Sequence, residues 1–116
     1  MANILPFRVK STLENLKAAL GGEQQEIDSL YPKFLVHATS HMDTSGMRSF
    51  VWAMESEKTH ARLYEDAVAS MEAGPGWTRD QFEFQVCTLC GYTAKTKEAD
   101  NCPACNFVWD RFERIS

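Results

Sequence analysis

At 116 residues, 44% of them hydrophobic and 24% charged, the chain has room for one small domain or for a helical body with an appendage, and its balance excludes a disordered chain. A net charge of −4 and a pI near 5.3 give no electrostatic basis for nucleic acid or an anionic membrane as partner. No apolar stretch approaches the roughly 20 residues of a membrane span, and Met1 to Lys10 lacks the basic-then-apolar layout of a secretion signal, so a cytoplasmic address is expected.

The first element in chain order is a long helix. Leu13, Leu16, Leu20, Ile27, Leu30, Phe34 and Ala38 recur at a three-and-four spacing that draws one stripe along an amphipathic helix. Ser11 or Thr12 is its N-cap, Glu14 lies in its first turn, and it is expected to run from about Thr12 to about His41 with a bend at Pro32. Met42 to Gly46 reads as a turn. Met47, Phe50, Met54, Ala61, Tyr64, Val68 and Met71 then draw a second stripe, and so a second helix antiparallel to the first.

Gly74-Pro75-Gly76 ends that helix. The division expected is a helical hairpin over 1–73, a linker over 74–81 and a small module over 82–116. In the module Phe82, Phe84 and Val86 alternate with polar residues as a strand does, and Lys95 to Asp100 reads as a solvated loop. So short a segment builds no core without a metal or another staple.

Both stripes are interrupted by acid. The spacing from Leu16 and Leu20 lands on Glu23 before it reaches Ile27, and the spacing from Phe50 and Met54 lands on Glu57 before Ala61. Carboxylates at two equivalent seam positions call for a positive charge inside the bundle. Glu26 lies one turn after Glu23, and His60 one turn after Glu57 in a Glu-x-x-His. Carboxylates with an imidazole are the ligands of di-iron four-helix bundles, which use one Glu from each of two helices and a Glu-x-x-His from each of the other two. This sequence supplies half of that set, so two chains about a two-fold axis are expected to share one site.

Cys87-x-x-Cys90 and Cys102-x-x-Cys105 make two chelating turns able to close a tetrahedral thiolate site, which accepts zinc and iron alike. His37 and His41, one turn apart, lack the carboxylates iron prefers. Trp52, Trp77 and Trp109 are expected to pack module and linker against the helices, and Gly21-Gly22 beside Glu23 to thin the first helix.

The residues resemble the rubrerythrin family from about Ser11 to Phe112. Thr12-Leu13-Glu14-Asn15-Leu16-Lys17, Gly22-Glu23-Gln24-Gln25-Glu26 and Tyr31-Pro32 resemble the start of the second half of its ferritin-like domain. Glu55-Ser56-Glu57-Lys58-Thr59-His60-Ala61 resembles that half's second ligand helix. Cys87-Thr88-Leu89-Cys90-Gly91-Tyr92 through Cys102-Pro103-Ala104-Cys105 resembles its rubredoxin-like tail, with Asn106 where a glycine is frequent.

The resemblance implies a mainly α fold: a two-helix ferritin-like half-bundle, completed to four helices by dimerisation, with a small C-terminal rubredoxin-like domain. It implies a non-haem di-iron peroxidase of oxidative-stress defence that reduces hydrogen peroxide to water. Electrons would pass through a rubredoxin-like iron centre loaded by a rubredoxin or an NAD(P)H-dependent reductase. Iron, rather than zinc, is then expected at Cys87, Cys90, Cys102 and Cys105. Glu23 and Glu57 become iron carboxylates, His60 an imidazole ligand, and Glu26 the carboxylate that exchanges with a histidine as the iron changes oxidation state. Tyr31 falls on a tyrosine that hydrogen-bonds a ligand carboxylate. The family's first helix pair has no counterpart here, so a homodimer or higher even oligomer is expected. The rival readings are an iron-handling or ferroxidase-type protein and a non-enzymatic dimer with a structural zinc ribbon.

Overall fold

The computed structural model describes residues 10–77 and 82–115. Residues 1–9, nearly all of the segment read as lacking a secretion-signal layout, and the distal part of the expected linker, 78–81, lie outside the described residues.

Ser11 caps the first helix, α1 (Thr12–Gln25), its Oγ accepting from the Glu14 amide at 3.1 Å. The expected single helix to His41 is divided in three. Over Glu26–Leu30 it widens into a π segment, and the Tyr31 amide donates to the Glu26 carbonyl five residues back. α2 (Tyr31–Ser40) follows, with Pro32 in its first turn. Pro32 has no N–H to give the Asp28 carbonyl, and its ring would crowd that oxygen in a regular turn; the wider turn relieves the crowding.

The corner is tighter than expected. Met42 takes a left-handed φ of 54°, and the Asp43 carboxylate accepts from the Gly46 amide at 2.9 Å. Thr44, Ser45 and Gly46 are therefore already the first turn of α3 (Thr44–Ala73). α1, the π segment and α2 all pack along α3. Of the helical apolar residues only Ala38 and Ala61 are fully buried, while Leu30, Phe34 and Val51 stay 40%, 41% and 44% exposed. A hairpin covers only part of its apolar stripes. Among the described residues no helix is long and apolar enough to cross a membrane.

The tail is a three-stranded antiparallel sheet in the order β2-β1-β3, from β1 (Phe84–Val86), β2 (Thr93–Ala94) and β3 (Glu113–Ile115). Phe82, expected in the first strand, precedes it and packs edge-on against Trp77, ring centroids 5.0 Å apart. The tail's own core is Cys87, Tyr92, Ala94, Cys102 and Trp109. Trp109 stacks on Phe112 at 4.0 Å and donates from Nε1 to Gln85 at 2.6 Å. Lys95 departs from the solvated-loop expectation: its ammonium lies 4.4 Å from the Trp77 ring centre and 3.1 Å from Asp66 on α3. β2 packs directly on α3, which seats the module beside the helical carboxylates.

Candidate metal centres

Glu23 near the end of α1 faces Glu57 and His60 in the middle of α3, because the two stripes that meet along the hairpin carry them at the same level. Ligand atoms of the three lie within 4.8 Å of one another. His60 Nδ1 is 3.4 Å from Glu57 Oε2 and 3.7 Å from Glu23 Oε2. Those two oxygens are buried and have no hydrogen-bond partner. Such atoms cost about 1–3 kcal/mol or more each unless something takes the place of water. Ligands held about 2.0–2.2 Å from a common ion sit roughly 3–4 Å from one another, so the spacing fits a metal between them.

The other side of the His60 ring is held by the tail. Nε2 lies 3.2 Å from the Gly91 carbonyl and 3.1 Å from Thr93 Oγ1. A carbonyl only accepts, so in the neutral ring the proton sits on Nε2 and the Nδ1 lone pair faces the carboxylates. A lone pair and two orphaned carboxylate oxygens share no proton, and a cation satisfies all three.

Glu26 opens the π segment, half-buried and outside this group of three. The Tyr31 ring lies at the junction of the π segment and α2, among the rings of Phe34 and Phe50 at 6.2 and 6.5 Å. The His37 and His41 rings lie 4.4 Å apart, tilted by 42°, at the exposed end of α2. Gly21 and Gly22 have open space within 4 Å where side chains would stand. Sequence reading passed over Ser56 and Thr59, fully buried polar residues of α3 at 4% and 2% exposure. Their signal was two small hydroxyl residues, one turn apart, flanking Glu57.

The second group is Cys87, Cys90, Cys102 and Cys105. Cys87 and Cys105 sulfurs are 3.6 Å apart, and Cys90 and Cys102 sulfurs 3.7 Å. A disulfide would need about 2.05 Å, whereas a tetrahedral ion with metal–sulfur distances of about 2.3 Å sets its sulfurs about 3.8 Å apart. The two turns are built alike: the Gly91 amide donates to the Cys87 carbonyl at 3.0 Å, and the Asn106 amide to the Cys102 carbonyl at 2.9 Å. Gly91 takes φ 90° and Asn106 φ 67°, and asparagine tolerates that left-handed region well enough to stand where glycine is frequent. Without metal, burial pushes the Cys105 thiol up to about 11 and the Cys90 thiol higher still. Burial also works against the Cys87 thiolate, but the amides of Cys90 and Leu89 and the neighbouring thiols outweigh it and lower that pKa.

No family model matches the chain. It is 31% identical over 107 residues to Rubrerythrin-2 of Clostridium acetobutylicum, covering 92% of this chain and 57% of that protein. Against the rubrerythrin of Porphyromonas gingivalis it is 35% identical over 106 residues, covering 90% of this chain and 53% of the other. Among solved structures, fully reduced, all-ferrous nigerythrin superposes with a TM-score of 0.82 at 27% identity, covering 98% of this chain and 54% of that one. The chain thus spans about half the length of the relatives it matches. Its helical hairpin, its four-cysteine tail and its similarity to these proteins over nearly its whole length agree: the chain looks like a member of the rubrerythrin family.

Proposed function

We propose that the chain is an iron protein acting as a peroxide reductase, in which two copies share one di-iron site and each tail holds a four-thiolate iron. The observation that carries this reading is the pair of buried, unpartnered oxygens of Glu23 and Glu57 turned toward His60 Nδ1. One chain offers three such ligands, half of a bundle di-iron set. The exposed apolar surface of Leu30, Phe34 and Val51 suits a second copy that brings the other half. The names of the relatives and the ferrous state of the solved neighbour support iron.

When bound, the iron pair supplies two electrons that cleave the O–O bond of hydrogen peroxide, and two protons complete two waters. Glu23 and Glu57 balance the charge of the ions, and Glu26, one turn beyond Glu23, is the carboxylate available for exchange. Tyr31, at the start of α2, would orient a carboxylate of the assembled site. Gly91 and Thr93 hold the His60 proton on Nε2 and keep Nδ1 free as a ligand. The same contact offers an electron route: Gly91 follows Cys90 in the chain, and its carbonyl accepts from the His60 imidazole. Iron held by Cys87, Cys90, Cys102 and Cys105 would supply one-electron chemistry suited to that relay, and a rubredoxin or an NAD(P)H-dependent reductase would reload it.

The test is to reduce the iron-loaded protein anaerobically and mix it with hydrogen peroxide or with dioxygen. The proposal expects reoxidation to be faster with peroxide, and lost from the helical iron in Glu57→Ala. Faster reoxidation by dioxygen would favour the iron-handling reading instead.

A further inference from the structure

The contacts of His60 join two places that a sequence keeps 31 residues apart. On one side are the helical carboxylates; on the other is the turn that carries Cys87 and Cys90. We propose that the four-cysteine module is a metal-dependent clamp on the helical site. With its thiolates loaded, it fixes the His60 ring toward Glu23 and Glu57, so that metal binds the helices more tightly than when the module is empty. The inference rests on the reading of Glu23, Glu57 and His60 as metal ligands.

Three observations carry it. First, the Gly91 carbonyl that holds Nε2 belongs to the cysteine turn itself, since the Gly91 amide donates to the Cys87 carbonyl at 3.0 Å. A metal that draws Cys87 and Cys90 together therefore also aims that carbonyl. Second, the tail is latched beside His60. The Thr93 amide donates to Thr59 Oγ1 at 3.1 Å, and Thr59 Oγ1 donates to the Ser56 carbonyl at 2.6 Å. Thr93 Oγ1 gives its proton to the Gly91 carbonyl at 2.9 Å and so is left to accept from His60. The fit is close: a Cβ at Gly91 would stand 2.8 Å from Ser56 Oγ. Third, the tail has little to hold it folded without metal, because two of its five core residues, Cys87 and Cys102, are themselves ligands.

A group that orients a metal-bound imidazole typically changes metal affinity 10- to 100-fold. The coupling must be reciprocal, but four thiolates already hold their ion tightly, so losing the helical ion leaves the tail loaded. Thr59 is a positioning residue here, touching no candidate metal position.

The experiment titrates ferrous iron anaerobically into the helical site of full-length protein whose cysteines have first taken up zinc. It compares wild type, Thr59→Val, Thr59→Ser and the double variant Cys102→Ser/Cys105→Ser, with exchange protection of the Thr93 amide as a second readout. The clamp predicts that Thr59→Val keeps its zinc, loses protection at Thr93 and weakens helical iron binding by about tenfold. Thr59→Ser, which retains the hydroxyl, should restore both, and the double cysteine variant should weaken the helical site at least as far. Unchanged helical affinity in Thr59→Val, despite lost protection at Thr93, would overturn the clamp and leave the helical site standing. Wild type that takes no iron on its helices, with Glu57→Ala no different, would overturn the site reading itself.

Discussion

Glu57 Oε2 and Glu23 Oε2 lie buried beside the same histidine, His60, and neither has a hydrogen-bond partner. In metal-free protein this arrangement is unfavourable, and it becomes favourable when an ion enters. Glu57→Ala should therefore abolish iron on the helices and leave the cysteine centre intact, as metal analysis and the thiolate absorption would show. Glu57→Gln should do the same to iron yet raise the melting temperature of metal-free protein by several degrees, since relieving roughly 1 kcal/mol shifts a domain of this size by about 4–8 °C. A lower metal-free melting temperature would mean that the carboxylate is satisfied without metal. The cysteines give a pH test. Burial raises the Cys90 and Cys105 pKa values, the latter to about 11, so both are protonated at neutral pH and metal must displace their protons. Loading should thus tighten as pH rises and release protons, measurable by calorimetry in buffers of different ionisation enthalpy. For the metal-free module the sign is reversed. Its raised Cys105 thiol contributes stability that is present below pH 9 and lost between 9 and about 11, and the loss from Cys90 extends to higher pH.

At the scale of elements, helix ends and turns carry local tests. The Asp43 cap on α3 accepts from the Gly46 amide, so Asp43→Ala should cost ~1 kcal/mol in thermal unfolding. Gly46→Ala should fail to stabilise the helix despite alanine's higher propensity, because its Cβ would stand 2.7 Å from Asp43 Oδ2. These elements also show how much was legible beforehand. Three-and-four spacing revealed both seams and the two acids that interrupt them, since burial of a stripe is a period a sequence displays directly. The π segment was not legible, because one wide turn shifts the register without changing composition; only Pro32, just beyond it, hinted at the crowded Asp28 carbonyl. Ser56 and Thr59 read as ordinary surface polar residues because what buries them is the tail, docked from more than 30 residues away. The cysteine spacing announced a metal site. That its Gly91 carbonyl reaches His60 depends on the docking and was invisible in the spacing.

At the scale of the whole molecule, one hairpin holds only part of a di-iron ligand set. One hairpin leaves Leu30, Phe34 and Val51 partly exposed and supplies three ligands to a site that needs about twice as many. If a second copy covers that face, Phe34→Glu should shift the mass in solution to one chain and remove helical iron together, while the cysteine iron persists. Loss of helical iron with the oligomer intact would instead place Phe34 within a single-chain site. The most direct test of the central claim is the iron and zinc content per chain of anaerobically purified protein whose oligomeric mass is measured in the same sample. A tail centre plus half of a shared pair predicts about two irons per chain, no zinc and an even number of chains. One zinc per chain with no iron would contradict the account and leave a protein whose tail is structural and whose helical carboxylates hold no redox metal.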